Sequence, residues 1–401
     1  MHAMKFYINT VSTYGAACIA AALAFAACKK EERSSLYNGA GAPQPLKTAA
    51  VTNLPGSAKI SYSLPGDNNV LYVKAEYEIR PGVKREVKAS YYDNSLLADG
   101  FGDTLEHKVA LTVVNQGDEP SAPLIVTVKP LTPPVIATFR TLKVLNDFGG
   151  VSVSFANAAK ADLAIISLRD SAGVYRIENS HYSQLAAETY SLRGFDSMVY
   201  KMGFYVRDRF GNVSDTLKGD FKPLYEKFLD KSLFRQVDLP GDVKDDWGLP
   251  MRNLWDGIVK GGVIGGFFHT QSKPFPMWFT FDLGVKVQLS RMTAWHRQDP
   301  PQDWAYAQNN PKKFEVWGCA DNPAADGSFT NWVLLATHEV VKPSGLPLGQ
   351  VSQDDIAAAA RGEEISIPLD KPAVKYIRFK ILETYTNAAC NIAEVSFWGQ
   401  P

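Results

Sequence analysis

The chain has 401 residues, of which 42 are basic and 42 acidic, so the formal net charge at pH 7 is zero. A balanced charge with no basic run excludes electrostatic capture of nucleic acid or another polyanion. The length beyond the N-terminal segment is too great for one ordinary domain and suggests two or three.

Residues 1–27 contain Lys5 and then an uncharged, alanine-rich run from Ala16 to Ala27, about a dozen residues that read as a secretory signal too short for a ~20-residue span. "AFAACKKEE" (24–32) then turns from small apolar residues to charge at Cys28. Ala26 and Ala27 before that cysteine resemble the lipobox of bacterial lipoproteins, with Phe25 in place of the usual leucine. The resemblance implies cleavage before Cys28, lipidation of its thiol, and a lipid anchor in the outer membrane that needs no transmembrane helix. "KKEE" is similar to the export signal that sends lipoproteins of Bacteroidota to the outer face of that membrane. An ordinary cleaved signal is the alternative. Residues 28–47, polar and then rich in Gly, Ala and Pro, read as a flexible tether.

From residue 48 the pattern is β. In "VKAEYEI", Val73, Ala75, Tyr77 and Ile79 alternate with Lys74, Glu76 and Glu78, as in a half-buried strand. "VALTVVNQGDEPSAPLIVTVKPL" (109–131) recurs in outline 93 residues later as "MGFYVRDRFGNVSDTLKGDFKPL" (202–224). Each copy is a strand, a Gly/Asn/Asp turn, a serine at the same offset (Ser121, Ser214) and a strand ending on Lys-Pro-Leu. The period suits one β-sandwich of ~100 residues. Both copies resemble the last hairpin of a fibronectin type III domain, and the reading is two tandem sandwiches, 48–132 and 133–225, joined at "PLTPP".

The segment 232–401 holds all 8 tryptophans and several long Gly/Pro/Asn loops between β runs. Many strands with long connections predict a two-sheet jelly roll whose loops gather at the ends. One short helix interrupts it, with Ser352 as cap, Asp355 completing a capping box and Gly362 at its end.

The runs "LWDG" (254–257), "WFTFDLG" (278–284), "PKKFEVWGCAD" (311–321), "YIRFKILET" (376–384) and "AEVSFWG" (393–399) together resemble a discoidin, or coagulation factor V/VIII type C, domain. The whole chain is similar to Bacteroidota lipoproteins built from domains of unknown function 4959, 5126 and 5000, "KPSGLP" (342–347) supporting the last. The expected fold is therefore all-β: two tandem fibronectin type III-like β-sandwiches followed by a discoidin-like jelly roll. The resemblance implies glycan binding, as in family 32 carbohydrate-binding modules, beside a SusC/SusD-type importer. Fold alone does not license that step.

Sugar capture needs an aromatic face for pyranose C–H groups and donors and acceptors for the hydroxyls. "WHRQDPPQDWAYAQNNP" (295–311) supplies both. Trp304 and Tyr306 are the expected stacking platforms, Arg297, His296 and Asp303 the hydroxyl partners, and Pro300 and Pro301 would stiffen the loop. Folding of Trp304 back over the sandwich end is the bland alternative, and Trp295 reads as core. "YTNAAC" (385–390) offers Tyr385 and Asn387, while Phe268 and His269 in "GGFFHT" read as either rim or buried hairpin. The resemblance further implies one structural calcium ion, with Asp256 and Glu394 at the matching positions and Thr270 or Ser272 in place of a threonine that is not clear here. Asp256 reads equally as a turn residue. Pairing of Cys319 with Cys390 stays open.

No histidine spacing suggests a metal site or a charge-relay triad, and the acidic run "DVKDDWG" (242–248) reads as a solvated linker, so no enzyme is expected. A glycan-binding surface lipoprotein is the leading reading, and a scaffold subunit gripping an importer protein is the alternative.

Overall fold

The computed structural model describes residues 41–401 except 68, 260–265, 299–303 and 387. The signal segment, Cys28 and most of the expected tether lie outside the described residues. Two compact units are present, one of residues up to 137 with 209–213, the other of 138–208 and 214–401.

The first unit contains a seven-stranded sandwich. β1 (Ala49–Leu54), β2 (Ser57–Tyr62) and β5 (Ser95–Asp99) form one sheet in the order β1-β2-β5. β3 (Val70–Arg80), β4 (Val83–Ser90), β6 (His107–Asn115) and β7 (Leu124–Val128) form the other, β4-β3-β6-β7. Alternation puts Val73, Ala75, Tyr77 and Ile79 of β3 inward against Ala58, Ile60, Leu111 and Val113.

In the second unit, after a short helix α1 (Pro134–Phe139), the plan repeats with β8 (Lys143–Asp147), β9 (Gly150–Ala156), β10 (Leu163–Ser171), β11 (Val174–Ser183), β12 (Ala187–Arg193), β13 (Tyr200–Asp208) and β14 (Leu217–Phe221). Its sheets are β12-β9-β8 and β11-β10-β13-β14. The sequence repeat is a repeat of hydrogen bonds. Ser121 exchanges bonds with the backbone of Val113, accepting from its N–H at 3.0 Å and donating its own N–H to its carbonyl at 2.8 Å. Ser214 does the same with Val206 at 2.8 and 2.9 Å. The Lys129 N–H donates to the Asn53 side chain, and the Lys222 N–H to Asn146. Each serine latches the turn that joins the last two strands. Both sandwiches are fibronectin type III-like.

The jelly roll follows with β15 (Lys227–Phe228), β16 (Arg235–Val237), β17 (Phe268–His269), β18 (Met277–Trp295), β19 (Pro311–Cys319), β20 (Trp332–Glu339), helix α2 (Gln353–Arg361), β21 (Glu363–Ser366), β22 (Val374–Thr384), β23 (Asn391–Ile392) and β24 (Glu394–Gln400). The long β18 serves two layers. Its first half pairs with β16 and β22, and its second half with β21 and β24. The break falls at Gly284, whose φ is 74° and where a Cβ would meet the Leu233 side chain at 2.6 Å, so no other residue fits the bend. Between the layers pack Phe279, Phe281, Phe314, Phe379, Val395 and Phe397. The helix ends as expected, with the Ser352–Asp355 capping box and Gly362 at a φ of 79°.

Glu226 ties the second sandwich to the jelly roll within the second unit. Its carboxylate accepts from Ser290 Oγ at 2.6 Å, from Arg291 Nε at 3.1 Å and from Arg193 Nη1 at 3.5 Å. Arg291 in turn lies 3.9 Å over the Trp398 ring. Glu226→Ala removes the carboxylate that Arg193 and Arg291 share, leaving Arg291 with Glu364 and Arg193 with Asp147, and should cost about 1–2 kcal/mol, read as a lower urea midpoint for the second unit.

Candidate functional site

The connections at one end of the jelly roll are sewn together by backbone bonds. Asp246 N–H donates to the His269 carbonyl at 3.0 Å, and Thr270 N–H to Cys390 O at 3.0 Å. Asn391 N–H donates to Asn309 O at 2.8 Å, and Thr386 N–H to Gln308 O at 3.0 Å. Segments 244–249, 267–273, 304–310, 385–386 and 388–391 are thus joined along one rim. Asn310 closes its largest loop: the buried side chain donates to the carbonyls of Arg297 (3.1 Å) and Trp304 (2.6 Å) and accepts from Arg297 N–H (3.0 Å).

The most exposed ring on this rim is Trp247, at 83%. Its backbone φ of 58° is unusual for a bulky residue. The Asp246 carboxylate caps its N–H at 2.9 Å. The His269 imidazole stands beside it, 6.1 Å between centroids and 70° between planes, and bonds to the Asn391 side chain. Sequence reasoning missed Trp247 by reading its segment as a polar linker. The available signal was an indole that directly follows two aspartates and directly precedes a glycine, in a stretch with no sustained apolar alternation.

The expected platforms stand differently. Tyr306 is 1% exposed and packs into the jelly-roll core from a backbone φ of 55°, so it offers no open face. Trp304 is half-buried, with the Arg297 guanidinium 4.0 Å over its ring and 4.4 Å over that of Phe267. Arg297 therefore lies between two rings, orienting Trp304 at the rim. His296 is 3% exposed and cannot meet a hydroxyl in solvent. Tyr385 is half-buried and packs on Tyr306 edge-on, 6.3 Å away. Trp295, expected in the core, is half-buried and donates to Ala360 O at 3.3 Å. Phe268 is buried and His269 half-buried. Asp303 and Asn387 lie outside the described residues.

Beneath the rim lies a polar floor. Both ring nitrogens of His296 and the hydroxyls of Tyr306 and Tyr385 are buried without a partner among the described residues, as is the Asn309 side-chain oxygen. Such groups call for internal water. Burial holds the His296 ring down at about 4 and pushes the Tyr306 hydroxyl up to about 12. Both are neutral at physiological pH.

The calcium set does not fit the ion. Glu394 is fully buried, and its two oxygens accept from Lys231 Nζ at 2.5 Å and from Gly257 N–H at 2.7 Å. Burial pushes its carboxyl up, and the Lys231 ammonium pulls it back down. Asp256 is exposed and accepts from the Ile258 N–H at 2.8 Å, a turn role. Thr270 is buried and committed to Cys390 N–H at 2.9 Å. Among the described residues no three His, Cys, Asp or Glu side chains converge. An ammonium supplies the positive charge that Glu394 needs. Cys319 and Cys390 are both buried free thiols.

The geometry defines a class: a three-module β-sandwich protein whose terminal, discoidin-like jelly roll presents an indole on a built rim. Family models match in order, Domain of unknown function (DUF4959) over residues 43–130, Domain of unknown function (DUF5126) over 131–232 and the domain of unknown function DUF5000 over 255–399. Among solved structures the chain is similar to the SusE-like protein BT2857 at 33% identity, covering 67% of this chain and 100% of that one with a TM-score of 0.45. It therefore belongs to the SusE-like family. It is also similar to the family 32 carbohydrate-binding module of Clostridium perfringens NanJ in complex with galactose, at 14% identity over 43% of this chain and 98% of that one (TM-score 0.29). The module of AlyQ in complex with 4,5-unsaturated mannuronic acid matches at 15% over 43% and 97% (TM-score 0.28). No curated protein matches.

Two outcomes follow from the site. Because the His296 pKa is depressed by folding, the unfolded chain binds the extra proton, and stability is lost as pH falls from about 6.5 towards 4, at up to about 1.4 kcal/mol per pH unit. Melting scans of the wild type and His296→Gln between pH 7 and 4 should diverge over that window, the variant showing the shallower fall. Separately, Lys231→Met should lower stability by about 3 kcal/mol by stranding a buried carboxylate, whereas chelator should leave the wild-type melting temperature unchanged. A chelator-induced fall that calcium reverses would restore the ion to this site.

Proposed function

We propose that the chain is a non-catalytic glycan-binding lipoprotein of the outer membrane, anchored through Cys28 on the cell surface and acting beside a SusC/SusD-type importer. Membership of the SusE-like family supports the setting. The observation that carries the binding role is Trp247: a solvent-facing indole on a positive-φ turn, beside the His269–Asn391 pair and on the same rim as the Arg297-oriented Trp304. An indole face takes the C–H side of a pyranose, and the imidazole and amide lie where the ring's hydroxyls would come. The described segments of the rim are joined by hydrogen bonds before any ligand arrives, which lowers the ordering cost of binding.

A scaffold reading rests on a different surface. Edge strand β11 exposes Ile177 and Tyr182, which pair with Leu168 and Ala164 and so share one face of the second sandwich. The two readings separate by mutation. Trp247→Ala should reduce binding to a printed array of defined glycans at least tenfold while leaving the melting temperature within about 2 °C, since so exposed a ring contributes little to stability. Unchanged array binding with Trp247→Ala, alongside loss of importer co-purification when Ile177 and Tyr182 become serine, would favour the scaffold.

A further inference from the structure

The first sandwich carries a second aromatic surface, remote in sequence from the jelly-roll rim. The turn between β4 and β5 holds Tyr91 and Tyr92, 44% and 82% exposed, with ring centroids 3.9 Å apart and their hydroxyls bonded to each other. The turn is itself braced: Tyr91 N–H donates to Leu71 O at 3.2 Å, Asp93 N–H to Ser90 O at 2.9 Å, and Ser90 Oγ to the Asp93 carboxylate at 3.0 Å. Two neighbouring tyrosines that shield one face of each other and leave the outer face of Tyr92 to water make a firm apolar plate at a loop tip.

Beside this plate lies a cavity of about 300 Å³ lined by Leu64, Pro65, Asp67, Val70, Tyr91 and Gln116. The connections before β3, after β4 and after β6 meet at this end of the sandwich, as the pairing of Val70 with Asn115 and of Tyr72 with Ser90 requires. Asp67 is fixed by the Gln44 N–H, which donates to its Oδ2 at 2.7 Å. Asn115 keeps the next connection in place by accepting from the N–H groups of Gly117 and Glu119, both at 2.9 Å. The opening therefore combines an aromatic wall, a proline and a leucine with a carboxylate held in place.

We propose that this cavity and the Tyr91–Tyr92 plate form a second carbohydrate subsite, for a single pyranose unit. The volume stands at the bottom of the range of ligand pockets and admits one ring rather than a longer oligosaccharide. A phenol ring takes the sugar's C–H face, while a carboxylate accepts up to two hydroxyl protons, a division of chemistry that a lipid chain or an apolar peptide would leave unused. The site lies in the first unit and the Trp247 rim in the second, so the two stand or fall separately.

The test uses the full chain carrying Trp247→Ala, which removes the rim's contribution, probed on a printed array of defined mono- and oligosaccharides. Residual binding to at least one glycan is expected. It should fall at least fivefold with Tyr91→Ala/Tyr92→Ala and, independently, with Asp67→Asn, while the melting temperature holds within about 2 °C as the exposure of Tyr92 implies. Residual binding that survives both changes overturns the subsite, and so does its complete absence from the Trp247→Ala chain. Binding that depends on the tyrosines but is indifferent to Trp247 supports the subsite and counts against the rim.

Discussion

A carboxylate with no access to water governs how the jelly roll is put together. Glu394 opens the last strand inside the protein, where an unmatched charge would cost several kcal/mol. Two groups meet that demand, one from each side. The ammonium of Lys231 comes from the connection leaving the second sandwich, and the N–H of Gly257 comes from the turn after the 3-10 segment Met251–Trp255. One anion thereby fastens the entry of the domain, the loop leading on from Trp247 and the C-terminal strand. Trp255 then packs against Phe234 and Phe281, 5.9 and 5.7 Å between centroids, so the polar fastening sits on an aromatic one.

From that fastening the rim inherits its rigidity. Four segments distant in sequence are linked through backbone bonds, and Asn310 spans the mouth of the longest loop with three hydrogen bonds. The opposite layer uses the same device with a cation. Arg378 is fully buried in β22, with its guanidinium 4.5 Å over Trp332 and 4.6 Å over Phe329, and it donates to the carbonyls of Gly327 and Ser328. Buried charges in this domain hold loops down. Strands are held by their apolar faces.

How far the sequence could be read divides along the same line. Strand alternation, the 93-residue repeat and the capping box at Ser352 are local patterns, and each is present as expected, down to the paired roles of Ser121 and Ser214. The order of motifs in the last segment was enough for the jelly roll. What escaped was direction. In "KYIRFKIL", alternation puts Arg378 on the outer face, and nothing local says that 327–332 will cover it. Tyr306 and Trp247 show the same limit from opposite sides. Both stand in polar loops with positive φ, yet one ring turns into the core and the other out. The choice depends on which segments close over the loop, a tertiary fact that spacing does not encode. Glu394 was legible as important, but its partner was not, because Lys231 lies 163 residues away in a segment with no strand pattern.

The left-handed backbone at Trp247 has an evolutionary corollary. Glycine there would relax the turn, and asparagine would in part, so the indole persists only where something other than folding rewards it. Its neighbours are under no such tension, and drift in 244–249 should alter charges around the ring long before it shifts the ring itself. A lineage that changes its preferred ligand can then repaint the frame while keeping the same canvas.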